Sequence, residues 1–363
     1  MAHPPAGTLG DLVSGIPDAE IRGDAGVSIS SVAYRSTEAS PGSLFFCVPG
    51  SSRDGHDFAP EATSRGGVAL VVERWLDVAV PQVLVPSVRR AMGPISAAFF
   101  ERPADAMTLV GVTGTNGKTT TTYLLESVFR AAGRTPGVIG TTGVRIDGVP
   151  TPFPRTTPEA PDLHRLLAEM AAAGVEAVAM EVSSHGLDQH RVDGVRFARA
   201  VFTNLSQDHL DYHGSMQAYF EAKARLFTFA MSKRAVVNID DEHGRRLAEG
   251  ELPTVTYGLD EAAHVRGTDV RTSDEGTRFL ADGVLIRSRL RGRFNVENCL
   301  AAFATARDLG IADTVVADAI ASVDRVPGRV DLVEAGQGFL VMVDYAHTPD
   351  SVDNVLRAAR PRA

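Results

Sequence analysis

At 363 residues, 44% of them hydrophobic and 22% charged, the chain has room for two or three domains, each with its own core. Its net charge of -9 excludes a broad nucleic-acid surface, which needs clustered positive charge, but leaves room for an anionic ligand held by a few local donors. No apolar run reaches the ~18 residues of a membrane span, and the start MAHPPAGTLGDLVSG is no signal peptide, so a soluble cytoplasmic protein is expected, with Cys47 and Cys299 buried as free thiols.

In chain order, residues 28–100 mix short strand-like runs such as GSLFFCVPG and VALVVE with turn-rich links. MTLVGV at 107–112 reads as a buried strand, followed by a glycine loop and a helix from about Lys118 to Ala132. Strand-then-helix patterns continue through VEAVAMEV (175–182), RAVFTNL (199–205) and KRAVVNI (233–239), which predicts a mainly parallel α/β sheet. Short strands follow from 254 to 294, then a helix ending in glycine over NVENCLAAFATARDLG (295–310). QGFLVMVDYAH (337–347) predicts a strand and PDSVDNVLRAAR (349–360) a helix.

The loop GVTGTNGKTTTTYLLES departs from the common G-x-x-x-x-G-K-[ST] spacing, because Val112 stands at the first glycine position. Gly114, Thr115, Asn116, Gly117, Lys118, Thr119 and Thr120 form a shorter version with the same physics. Backbone N–H groups and the helix start hold phosphate oxygens, Lys118 adds a point charge, and Thr119 offers a hydroxyl to Mg²⁺. A ligand-free glycine turn before a helix is the competing reading.

Two polar runs follow strands, EVSSHGLDQHR (181–191) and TNLSQDHLDYHG (203–214). Glu181 should end its strand at the carboxyl edge, where open α/β sheets gather ligands. Each run alone also fits a plain polar loop. In SMQAYFEAKARLFTFA, Ser215 can cap a helix whose apolar face comprises Met216, Tyr219, Phe220, Leu226 and Phe227. Lys223 falls within that face, where a lysine either snorkels to the edge or stays buried with a lowered pKa. Lysine is scarce here, at Lys118, Lys223 and Lys233 only, so a retained one has reason to be a primary amine.

These residues resemble the Mur ligases, relatives of the folylpolyglutamate synthetases, and the two polar runs are similar to MurE, the branch that adds the third residue of the peptidoglycan stem peptide. The resemblance covers essentially the whole chain. It implies an N-terminal mixed α/β UDP-sugar domain (1–106), a central parallel-sheet ATP-binding domain (107–337) and the first βα unit of a Rossmann-like third domain (338–363). The implied activity is ATP-dependent: the carboxylate of UDP-N-acetylmuramoyl-L-alanyl-D-glutamate is phosphorylated, and an amino acid attacks the acyl phosphate. meso-Diaminopimelate is the more frequent acceptor and L-lysine the main alternative.

By the same resemblance, Asn295, Asn298, Arg329 and Asp344 contact ATP together with the loop, although Asn298 alone also fits a helix-surface amide and Asp344 a strand-end cap. Glu181, His209 and a Lys223 carbamylated by CO₂ join Thr119 in holding Mg²⁺. Ser36, Arg155, Thr156, Thr157, Ser183, Gln189 and Arg191 match positions that contact the UDP-linked dipeptide. Arg35 and Thr37 depart from the family's Asp-Ser-Arg at the uridine site, and Arg155 stands where asparagine is common. A monomer without nucleic-acid or membrane partners is expected. The acceptor pocket is implied to lie mostly past residue 363, so this stretch is expected to bind the UDP-sugar and ATP while forming little tripeptide. A folylpolyglutamate synthetase-like ligase, or a non-catalytic nucleotide- and UDP-sugar-binding module, are the alternatives.

Overall fold

The computed structural model describes residues 7–50, 52–273, 275–333, 335–337, 339 and 341–360, which fall into two compact units. The expectation of no signal peptide rests partly on Met1–Ala6, outside the described residues.

The first unit comprises Met1–Ala106, Pro158–Ala172 and Asp188–Val195. β1 (Gly7–Thr8), α1 (Leu9–Val13), β2 (Glu20–Arg22), β3 (Ser28–Ile29), β4 (Ser31–Ala33), β5 (Ser43–Phe46), α2 (Ala59–Ser64), β6 (Gly67–Val72), β7 (Gln82–Leu84) and α3 (Val88–Phe99) follow in order. β1 and β3 form a ribbon, and the remaining strands make a five-stranded sheet in the order β2-β7-β6-β5-β4, antiparallel only at β2. Side chains alternate across a strand, and both faces of β5 and β6 are covered, so their sequences read as unbroken apolar runs. Leu44, Phe46, Ala69 and Val71 pack with Ile95 and Phe99 of α3 on one face. Phe45, Cys47, Leu70 and Val72 pack with Ala59 and Ala62 of α2 on the other. The helix Ala160–Ala172, α5 in chain order, packs on α3.

The second unit comprises Met107–Thr157, Ala173–Leu187 and Arg196–Ala363. It contains β8 (Thr108–Thr113), α4 (Lys118–Ala131), β9 (Pro136–Gly140), β10 (Gly143–Ile146), β11 (Val149–Thr151), β12 (Ala177–Glu181) and α6 (Ser184–Asp188). β13 (Arg199–Phe202), α7 (Leu210–His213), α8 (Met216–Ala224), β14 (Ala235–Asn238), α9 (Glu242–Ala248), β15 (Thr254–Gly258), β16 (Val265–Ser273), β17 (Gly276–Ala281) and β18 (Val284–Ser288) come next. The unit ends with α10 (Phe294–Asp308), α11 (Asp313–Ala321), β19 (Asp331–Leu332), β20 (Met342–Val343) and α12 (Pro349–Ala359). Eleven strands share one sheet, β11-β10-β9-β12-β8-β13-β14-β15-β16-β17-β18. The run from β9 to β16 is parallel, as the alternating strand and helix patterns predicted, and both ends are antiparallel hairpins. The chain leaves β8 toward β9 and later returns to its other side as β13, so a crevice opens at the carboxyl ends of β12, β8 and β13. α4, α10 and α11 share the core cluster beneath it, which includes Leu124, Val128, Cys299 and Phe303. Cys47 and Cys299 are both buried free thiols.

One predicted strand is much shorter than its pattern. Of the run 337–347 only β20 forms, paired with the two-residue β19, and positions 338 and 340 lie outside the described residues. Asp344 explains the stop: its carboxylate accepts N–H bonds from Val330 and Ala346 at 2.7 Å each, which turns the chain out of the ladder. α12 forms as predicted, with Pro349 in its first turn and a capping box between Thr348 and Ser351. Among the described residues, no helix is long and apolar enough to cross a membrane.

Candidate active site

A cavity of about 650 Å³ opens at this sheet edge, and every residue lining it belongs to the second unit. Its floor is the turn from β8 into α4. Gly114 and Gly117 hold φ of +146° and +86°, which side chains other than glycine disfavour. A Cβ on Gly117 would lie 2.3 Å from Asn298 Oδ1, and one on Gly114 would lie 1.9 Å from Thr203 Oγ1. No side chain caps the start of α4. That leaves N–H groups and the positive end of the helix dipole facing the cavity.

The segment after β13 braces this turn. Asn204 Oδ1 accepts from Asn116 N at 2.9 Å, Thr115 N donates to Asn204 O at 2.8 Å, and Thr203 Oγ1 donates to Asn116 O at 2.6 Å. Thr115 Oγ1 donates to Ser206 O at 3.1 Å and lies 3.2 Å from the Tyr219 hydroxyl. Ser206 Oγ is buried and has no partner among the described residues. An open helix start, two glycines without room for a Cβ and an orphaned buried hydroxyl fit a phosphate chain.

Two lysines converge on one atom. Lys118 Nζ donates to Gly114 O and Thr115 O at 2.9 Å each, and Lys223 Nζ donates to the same Gly114 O at 2.9 Å. Lys223, on α8, is 1% exposed and sits 4.4 Å from the Tyr219 ring centre. Ser215 caps α8 through Ala218 N at 3.1 Å, as its sequence predicted. The lysine therefore points inward along the apolar face and does not snorkel. Burial, reinforced by the charge of Lys118, holds the Lys223 pKa well below that of an ordinary lysine, with Asp208 opposing. Burial also lowers Lys118, Arg329 adding to the effect while Glu181 and Asp208 oppose it.

Glu181 ends β12 at 1% exposure, and its carboxylate accepts from Thr141 N at 2.9 Å and Thr141 Oγ1 at 3.0 Å. Thr156 Oγ1 lies 3.1 Å from Thr141 Oγ1. Thr157 Oγ1 donates to Glu181 O at 3.0 Å and to Ser183 Oγ at 3.1 Å. Across the cavity His209 adopts φ +52°, with Nε2 3.4 Å from Asp208 Oδ2, and its pKa is lowered by burial against the pull of Asp208. Among the described residues, no three His, Cys, Asp or Glu are grouped to hold a metal ion. The expected metal set draws also on Thr119 and Lys223, which lie outside those residue types.

On α10, Asn298 Nδ2 donates to Asn295 Oδ1 at 2.9 Å, and Asn295 Nδ2 donates to Arg291 O at 2.6 Å. Arg329 Nη2 donates to Thr119 Oγ1 at 2.9 Å, its guanidinium 5.2 Å from the Tyr345 ring centre. Thr120 is buried at the start of α4. Thus the glycine loop, Glu181, Ser183, His209, Asn298, Arg329, Asp344 and Thr156 line one cavity, while Lys223 lies behind Gly114. Asn204 and Asp208 of the polar run 203–214 line it too, as do Asp241 and Glu297, although none of the four reads individually as a site residue in the sequence. Glu297 carries the strongest signal missed: burial, with Asp240 next, pushes its pKa up to about 7.

The other expected residues are divided between the two units. In the first, Ser36 Oγ donates to Glu61 Oε2 at 2.8 Å, Arg35 pairs with Glu38 at 2.7 Å, and Thr37 is exposed. Arg191 Nη2 donates to Gln189 Oε1 at 2.6 Å, and Arg191 Nε lies 3.1 Å from buried Glu159, which Arg89 also contacts at 3.0 Å. In the second unit, Arg155 is half-buried.

The Mur ligase middle-domain model matches residues 112–306, and the model described as Mur ligase family, catalytic domain, matches 28–100. A protein of Geobacillus thermodenitrificans (strain NG80-2) named UDP-N-acetylmuramoyl-L-alanyl-D-glutamate--2,6-diaminopimelate ligase is 45% identical over 364 residues, covering 97% of this chain and 74% of that protein. A solved structure with the same ligase name superposes with a TM-score of 0.84 at 32% identity, covering 98% of this chain and 74% of the other. Mycobacterium tuberculosis folylpolyglutamate synthase, complexed with ADP and AMPPCP, shares the fold with a TM-score of 0.61 at 17% identity, covering 73% of this chain and 69% of its own.

Proposed function

The chain belongs to the Mur ligase family of ATP-dependent ligases, and on that premise we propose that it joins meso-diaminopimelate to UDP-N-acetylmuramoyl-L-alanyl-D-glutamate in peptidoglycan synthesis. The carboxylate attacks the γ-phosphorus of ATP and ADP leaves. The amine of the amino acid then attacks the acyl carbon, and phosphate leaves.

The observation that carries this reading is the shared acceptor at Gly114 O. It brings a phosphate-binding lysine and a buried lysine, whose pKa burial holds well below the ordinary value, to one point of the loop. Only the neutral amine takes up CO₂, a lowered pKa makes that form accessible, and the carbamate of Lys223 would place an anion close to Lys118. Lys118, Thr119 and the open start of α4 hold the phosphates. Thr119, Glu181, His209 and the carbamate supply oxygen and nitrogen donors for Mg²⁺, which when bound screens the repulsion between two anionic substrates. Asn295, Asn298, Arg329 and Asp344 complete the nucleotide site. Ser36, Arg155, Thr156, Thr157, Ser183, Gln189 and Arg191 serve the UDP-linked dipeptide. The division at 106 and 337 and a cytoplasmic monomer belong to the same proposal. Diaminopimelate is preferred to L-lysine because the similar proteins carry that name.

The test is to supply ATP, Mg²⁺ and the UDP-linked dipeptide, with each candidate amino acid, and to follow ADP and products by mass spectrometry. ADP formation that requires the dipeptide is expected, with diaminopimelate found in the product however little tripeptide forms. ADP formation that instead requires folate and glutamate, or tight binding of both ligands with no ADP formed, sinks the proposal.

A further inference from the structure

A second, smaller cavity of about 180 Å³ lies in the same unit, lined by Arg289, Arg291, Arg325 and Arg329 together with Asp324 and Asp331. Four arginines against two aspartates give the lining a formal excess of positive charge, in a chain whose net charge is -9. Two separate segments build the cluster. Arg289 and Arg291 stand on the link from β18 to α10. Arg325 and Arg329 flank a tight turn in which Arg329 N donates to Val326 O at 3.0 Å and Gly328 takes φ +68°. Both arginines line the one cavity.

The pairs that Arg289 and Arg325 make with the two aspartates are weak ones. Arg289 pairs with Asp324, but both side chains are about two-thirds exposed (66% and 67%), where an ion pair is weak and readily exchanged. Arg325 stands 4.0 Å from Asp331, at the outer limit of an ion pair. The planar forks of arginine suit the tetrahedral oxygens of a phosphate. The volume excludes a nucleotide, since sites for ligands of that size run to ~300 Å³ or more. The larger cavity falls in that range and this one does not.

Arg329 lines both cavities. One of its five N–H groups reaches Thr119 Oγ1 at the start of α4, and the same residue lines the small cavity. We propose that the small cavity is a site for a phosphate dianion, free or as a small monoester, and that its occupancy weakens nucleotide binding through Arg329. The dianion competes for the guanidinium that faces Thr119 and adds negative charge beside the nucleotide's phosphates. Reciprocity then requires that nucleotide weaken phosphate binding by the same factor.

The probes are inorganic phosphate and methyl phosphate, titrated by calorimetry into the protein with the larger cavity filled by a non-hydrolysable ATP analogue and Mg²⁺. Expected is one phosphate per chain, weakened at least about tenfold by Arg289→Ala or Arg325→Ala. Both positions are exposed, so the fold is not at stake, and ATP affinity without phosphate should stay unchanged in both variants. Saturating phosphate should raise the ATP Kd of the unmodified protein at least about threefold to a plateau, and leave that of Arg325→Ala unaltered. Uptake of inorganic phosphate alone assigns the free ion, and uptake of both probes assigns the wider class. No uptake of either probe overturns the site. So does uptake that Lys118→Ala abolishes while the two arginine variants do not. An ATP Kd that climbs without limit marks simple competition at the glycine loop and overturns the linkage.

Discussion

Lys223 illustrates how far one residue's chemistry is visible in its neighbours along the chain. Its place on an apolar face could be read from spacing, but the carbonyl it reaches, Gly114 O, is 109 residues away and belongs to tertiary structure. Lys223→Ala should abolish ligation, and a small added carboxylate should restore part of it; full activity in the alanine variant, measured as ADP release, would refute the carbamate. Lys118→Ala should weaken ATP binding by ~2–3 kcal/mol, the scale of a lost charge-assisted contact, and unchanged affinity by calorimetry would dismiss its phosphate role. Glu297 yields a pH prediction. Its folded pKa of about 7 lies above the ordinary 4.5, so the folded state favours the protonated acid. The stability this gives is fully present below pH 4.5 and is lost as the pH rises through about 7. Glu297→Gln should therefore become the more stable form above pH 7, by up to about 3 kcal/mol in urea unfolding, and parallel stability profiles would contradict it. The run holding Asn204 and Asp208 stands out in the sequence, but their separate roles do not, because a polar residue after a strand looks the same whether it braces a loop or meets water.

At the scale of elements, the turn from β8 into α4 was legible because backbone chemistry dictates its residues. Glycine at positive φ, a lysine and hydroxyls at a helix start have few other uses together. Gly117→Ala should cost about 1–2 kcal/mol for the left-handed backbone alone, and more as Asn298 is displaced, with ATP affinity falling alongside. Wild-type stability by urea titration would argue against the tight approach. The strand expected over 337–347 fails for a complementary reason. Its apolar run satisfies the pattern of a strand, but a ladder needs a neighbour, and β19 offers two residues. Asp344 then turns the chain, and an aspartate's choice between capping a turn and touching a ligand is not written in its immediate neighbours.

For the molecule as a whole, local patterns identify a parallel sheet, yet nothing in them announces that Pro158–Ala172 and Asp188–Val195 join the first unit. Such membership is decided by packing, as where α5 meets α3. The larger cavity draws all its lining from the second unit, whereas the single tryptophan, Trp75, lies in the first. ATP at ~100 times its Kd stabilises what binds it by about 2.7 kcal/mol. It should therefore raise the melting transition seen by circular dichroism more than that seen by Trp75 emission; equal shifts would contradict the assignment of the site to the second unit. The positions of the lysines have a practical consequence as well. Of the three, Lys118 and Lys223 have their amines committed to the loop carbonyl, and only Lys233 is exposed. Brief acylation of the folded chain should mark Lys233 first, so peptide mass spectrometry of the other two lysines becomes a gauge of how often the glycine loop opens.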